Sequence, residues 1–223
     1  MDWYSFWLLI HLLTFVYWVG ADLGVFYSAR LIVNPNYSFE TRLQILKMLG
    51  WVDMIPRYML LLTFPVGLTL SYLTNLGPQS IELLLIIFII FILWILLVLK
   101  IHKEEGSLLG TKLAKIDLYL RFIFIILLLL SCICSFIMKY PFKSDWLVLK
   151  IVFFSFTIIC GVGIRITFKP FMEAFMELSK NGSTNNVEDK MKRSLNHAVP
   201  FVIGIWVFAG LAAFIGLSHE RLF

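Results

Sequence analysis

Six stretches of this 223-residue chain, at about 4–29, 57–76, 81–101, 118–138, 146–166 and 199–217, are each long and apolar enough to cross a bilayer. A helix needs about 20 apolar residues to span the hydrocarbon core. Inside lipid such a segment must be helical, because an open strand would leave backbone N–H and C=O groups without partners. The chain is therefore expected to be all-α, an integral membrane helical bundle of about six transmembrane helices forming a single domain over 1–223. Composition points the same way: 60% of the residues are hydrophobic and 15% are charged. A soluble domain carries about 25% charged residues, so a water-facing surface cannot be clothed here.

The net charge of +5 reflects topology, and no nucleic-acid surface is expected. Of the 19 lysines and arginines, 15 fall in or beside the first, third and fifth connections. The positive-inside rule puts those connections in the cytoplasm and both termini on the outer side. The opening residues Met1, Asp2 and Trp3 lack a basic stretch and a small-residue cleavage site, so the first apolar run is expected to be a retained helix.

The first connection offers Ser38 as a helix cap and Phe39, Leu43, Leu46 and Leu49 at helical spacing, which predicts a helix along the inner interface. Phe171 to Leu178 has the same character, and the polar run 181–186 after it is expected to be a mobile loop. Pro65 frees the carbonyl of Leu61 and predicts a kink in the second span. Spans three and four are nearly pure leucine, isoleucine and phenylalanine and are expected to be lipid-facing scaffold. Cys132, Cys134 and Cys160 define no disulfide framework, and two residues along a helix turn by about 200°, which points the first two thiols apart.

Ionisable residues inside spans cost roughly 2.5–3.5 kcal/mol each on insertion scales, so each is a functional candidate. In the first span His11, Trp18 and Asp22 share one face. His11 reads equally as a metal ligand or as a neutral imidazole bonded to a neighbouring helix. In the fifth span Trp146, Lys150, Thr157 and Gly161 share a face, with Arg165 near its inner end. Lys150 lies about 6 Å below the start of that span at 1.5 Å per residue, a depth like that of His11. Snorkelling to the outer interface competes with a site role for it. Asp22 is too deep to stay an unpaired carboxylate: it is expected to be protonated or paired with an arginine, and an ion pair with Arg165 or Arg57 is the preferred reading. His102, His197 and His219 fall at helix ends and read as interfacial.

These residues fall into an ordered pattern. His11, Trp18 and Gly20 followed by Arg30, Leu31 and Val33 resemble the opening helix of the HemJ-type protoporphyrinogen oxidases. Pro56, Arg57, Thr63 and Gly67 resemble that family's second helix, Trp146 and Lys150 its third, and Arg193, Asn196 and Pro200 the entry to its last. The chain departs from the pattern at Arg30, which lies farther from Trp18, and at His197, where the family has a glutamate. CopD-type copper-resistance proteins share a similar histidine and tryptophan helix.

The resemblance implies that spans one, two, five and six form a functional core, with three and four inserted as a hairpin. It implies a multi-pass protein of the bacterial cytoplasmic membrane that binds haem b and acts as a membrane oxidoreductase. His11 would be the metal ligand, with Lys150, Trp18, Trp146 and Asn196 also binding the cofactor and Lys150, Asp22 and Arg165 in catalytic roles. A porphyrinogen substrate and a quinone acceptor go with that reading, and a homo-oligomer is compatible with it. The competing readings are a CopD-like metal or small-solute permease and a non-enzymatic membrane scaffold.

Overall fold

In the computed structural model, which describes residues 2–222 and side chains as far as Ser218, the chain is all-helical, with no strand among the described residues. His219, expected at the interface, lies outside the residues whose side chains are described. The helices are α1 (Trp3–Ile32), α2 (Phe39–Val52), α3 (Met54–Leu73), α4 (Ile81–Lys103), α5 (Leu108–Met138), α6 (Asp145–Thr167), α7 (Lys169–Asn181) and α8 (Asn185–Leu222). Six helical segments are long and apolar enough to cross a membrane, as the sequence predicts.

The helix starts follow from side-chain capping of backbone N–H groups that have no partner inside the helix. Asp2 accepts from Tyr4 N at 3.1 Å, Ser80 from Leu83 N at 3.1 Å and Ser107 from Gly110 N at 2.9 Å. Ser38 caps α2 as expected, accepting from Thr41 N at 3.3 Å. α3 runs unbroken through Pro65.

α1 packs along α3 and α6 along α8, while α5 joins α6 and α4 bridges α3 and α5. Small residues let α6 and α8 approach: a Cβ on Gly204 would meet Cys160 Sγ at 2.7 Å, and one on Gly163 would collide with the Phe201 ring. In the most apolar window of α4 only 17% of the residues are buried. Leu85, Ile86, Ile89, Ile90 and Leu93 are each more than half exposed, an arrangement that water would disfavour and lipid accepts. Cys132 is buried and Cys134 exposed, so the two thiols do point apart.

The α2 and α7 end of the bundle is more tightly built than the sequence predicts. The apolar face of α7 is turned to protein: Phe171, Ala174, Phe175 and Leu178 pack against Val187, Met191 and Leu195 of α8 and Ala29 and Ile32 of α1. The expected mobile loop at 181–186 shrinks to a three-residue turn, because α8 already begins at Asn185. Gly182 takes φ +75, which a side chain would strain, and Ser183 donates to Glu188 Oε1 at 2.8 Å. Beneath that turn Arg42 is 2% exposed. It gives both terminal nitrogens to Glu188 at 2.7 and 2.8 Å and its Nε to the Ile32 carbonyl at 2.6 Å, joining α2, α8 and the end of α1.

Candidate functional site: two cavities sharing Trp18

Four of the helices, α1, α3, α6 and α8, enclose a first cavity of about 250 Å³, with Leu76 and Phe142 added from the connections. On α1, His11, Phe15 and Trp18 sit three and four residues apart and face it together. Trp146, Lys150, Phe154 and Thr157 face it from α6 with the same periodicity. Ala209, Ala212, Ala213 and Gly216 of α8 form a small-residue wall. Of the six spans, these four helices belong to the first, second, fifth and sixth.

The polar groups here divide into two kinds. Thr63 donates to the Met59 carbonyl at 2.7 Å, Ser71 to Leu68 at 2.8 Å and Thr157 to Phe154 at 2.6 Å, so these hydroxyls are used within their own helices. His11 is different. Its Nδ1 is buried and has no hydrogen-bond partner, which removes the reading of an imidazole bonded through that nitrogen to a neighbouring helix. A buried polar atom left in this state costs about 1–3 kcal/mol. The imidazole lies against Gly67, where a Cβ would stand 3.2 Å from His11 Cε1.

Lys150 reaches across toward α8, and a Cβ on Gly216 would stand 2.7 Å from its Nζ. The lysine lines the same cavity as His11, from α6 rather than α1. Among the described residues lining the cavity there is no carboxylate. Trp18 is 5% exposed and meets Phe154 edge-on at 6.2 Å.

Trp18 also lines a second cavity of about 420 Å³, toward the α2 and α7 end. Unlike the first it carries many charges in its apolar lining: Asp22, Asp53, Asp117, Arg57, Arg121, Arg165 and Lys169. The expected ion pair between Asp22 and Arg165 or Arg57 does not form. Arg57 pairs with Asp53 one turn away, and Arg165 Nη1 bonds Asp117 Oδ2 at 2.6 Å, so both guanidiniums have other carboxylates. Asp22 instead accepts from the Trp206 indole N–H at 2.9 Å, a neutral donor that ties α1 to α8.

Asp117 is the residue that the sequence reading missed. It is 2% exposed and accepts from Trp94 Nε1 at 2.7 Å, Arg121 Nε at 3.1 Å and Arg165 Nη1 at 2.6 Å. Spans three and four are therefore more than lipid-facing scaffold, since Trp94, Asp117 and Arg121 come from them and bolt the hairpin to α6. Asp117 and Arg121 stand four residues apart on one helix face, a spacing that the sequence does display.

Of the residues expected in the site, the fold brings His11, Lys150, Trp18 and Trp146 to the first cavity. It places Asp22 and Arg165 in the second, and Asn196 is exposed on α8 and lines neither. No family model matches the chain, and no curated protein or solved structure matches it.

Proposed function

We propose that the chain is a membrane haem-b protein of oxidoreductase type, with the first cavity as its cofactor site. The observation that carries the reading is His11, an imidazole whose buried Nδ1 has no partner, in an aromatic and aliphatic cavity that also holds Lys150.

The residues fit the group. An imidazole is a common axial ligand of haem iron, and a lysine ammonium suits an anionic propionate. Trp18 and Trp146 offer flat apolar surfaces, and Gly67 and Gly216 keep side chains out of the way. The space is tighter than the donor set: about 250 Å³ lies below the roughly 300–1,000 Å³ of ligand pockets, so α1 and α8 must part somewhat to admit a macrocycle. Bound haem would supply one-electron chemistry at iron. His11 would hold the iron, Lys150 would hold a carboxylate, and the apolar walls would exclude water and strengthen both interactions. A porphyrinogen is the substrate class, and a quinone the acceptor, that the resemblance to the HemJ-type oxidases supports.

The test is an absorption spectrum of the protein purified after expression with haem supply. A Soret band is expected, lost in His11→Ala while the helical fold remains. A folded His11→Ala protein with full haem and an unchanged spectrum would remove the assignment. The same reading puts the α2 and α7 end in the cytoplasm of a bacterial cell and both termini outside, supported by the 15 basic residues in and beside the connections at that end. A Ser183→Cys protein should resist labelling from outside intact cells, and labelling there would reverse the topology.

A further inference from the structure

The second cavity has more hydrogen-bond donors than its own carboxylates use. A guanidinium carries five N–H donors. Arg57 gives one nitrogen to Asp53, Arg121 gives Nε to Asp117, and Arg165 gives Nη1 to the same Asp117. No other hydrogen bond holds these three groups among the described residues. Their remaining nitrogens are not sealed in: His11 Nδ1 is the one fully buried side-chain nitrogen or oxygen there without a partner. The acceptors are already engaged, Asp117 by three donors and Asp22 by Trp206.

The charges have a spatial order as well. The side chain of Arg57 is 42% exposed and that of Arg165 31%, whereas that of Arg121 is 11% exposed with its guanidinium over the Trp94 ring. Arg121 is thus the most buried of the three guanidiniums, and Lys169, which also lines the cavity, is the most exposed cation. Between them the walls are apolar, formed by Val25, Leu60, Ile164, Met172 and Val202. Cations set in apolar walls are poorly screened and hold an anion more strongly than they would in water.

We infer that the second cavity binds an oxyanion, a phosphate or carboxylate group, gripped by Arg57, Arg121 and Arg165. Planar guanidinium forks match the geometry of such groups, and several forks around one cavity supply the donors that a tetrahedral or planar oxyanion accepts. The group arrives either on an anionic lipid headgroup, whose acyl chains would lie along the apolar wall, or on a soluble molecule. This site is separate from the His11 cavity and stands whether or not haem binds there.

The experiment uses the full chain in phosphatidylcholine nanodiscs and follows thermal unfolding in two arms. One arm titrates inorganic phosphate against sodium chloride at matched ionic strength, and the other replaces part of the phosphatidylcholine with phosphatidylglycerol. A rise in the midpoint is expected in at least one arm: with phosphate for a soluble ligand, with phosphatidylglycerol alone for a lipid. The concentration needed should increase at least about tenfold in Arg57→Gln and in Arg165→Lys, since each loses charge-assisted hydrogen bonds. Arg165→Lys keeps a cation beside Asp117, so its effect is read in a folded protein. No rise in either arm, or a rise that both variants retain, would overturn the inference.

Discussion

Among the described residues, the first cavity holds a histidine and a lysine in apolar walls with no carboxylate lining it, whereas in the second every lining carboxylate has a donor. They share Trp18, yet they do opposite things to the bundle. The polar groups of the second cavity tie α5 to α6 through Asp117 and Arg165, α4 to α5 through Trp94 and α1 to α8 through Asp22 and Trp206, and removing a partner would strand a charge or a donor in a poorly solvated place. The polar groups of the first cavity contribute little to folding, and buried Nδ1 of His11 detracts from it. A group kept at a folding cost points to binding, and a group that satisfies its neighbours points to architecture.

Substitutions can break or sharpen that contrast, beginning with the largest effect. Asp117→Leu leaves Arg121 and Arg165 without their shared carboxylate and Trp94 without its acceptor, and should cost about 3–5 kcal/mol. Thermal unfolding of the purified protein checks it, and a parent-like midpoint would mean the cluster does not hold α5 to α6. Asp22→Leu should cost about 1–3 kcal/mol by orphaning the Trp206 N–H. Asp22→Asn keeps a carbonyl acceptor and should cost less, so equal midpoints for the two variants would deny the bond any weight.

Smaller effects belong to the first cavity. Gly67→Ala places a methyl 3.2 Å from His11 Cε1, so the imidazole must give by a few tenths of an ångström. It should change stability by less than about 1 kcal/mol, the usual scale of a glycine-to-alanine change in a helix, while reducing haem retention measured from the Soret absorbance. Smallest is His11→Leu in cofactor-free protein, which replaces an unpartnered imidazole by an aliphatic chain. Its midpoint should equal or exceed that of the parent, and a marked drop would place His11 with the architectural residues.

The spans were readable in the sequence because lipid leaves a chain so few choices: about 20 apolar residues can only become a helix. The cap at Ser38 and the opposed cysteines were readable for the same local reason. Partner choice was not. Asp22, Asp53 and Asp117 compete for Arg57, Arg121 and Arg165, and which pairs form depends on how helices far apart in sequence are rotated against one another. Asp117 is not legible as a site residue because Lys112 and Lys115 precede it and Arg121 follows it, so the stretch reads as the end of a connection rather than part of a span. Composition alone marks 181–186 as a loop, since nothing local reveals that Glu188 pairs with the buried Arg42 of α2 against the end of α1.

That arginine sets a sequence of events for the growing chain. Arg42 and Glu188 are 146 residues apart, and the guanidinium is buried only once both are in place. While the intervening helices are being synthesised, Arg42 is favoured in a hydrated state, because sealing it without a counter-ion is unfavourable. The seal over Arg42 at the end of α1 therefore closes only when the start of α8 has emerged. Assembly at that end is a closing stroke made by the last helix, and a nascent chain stalled before α8 would present an unfinished, hydrated seam to whatever escorts membrane proteins into the bilayer.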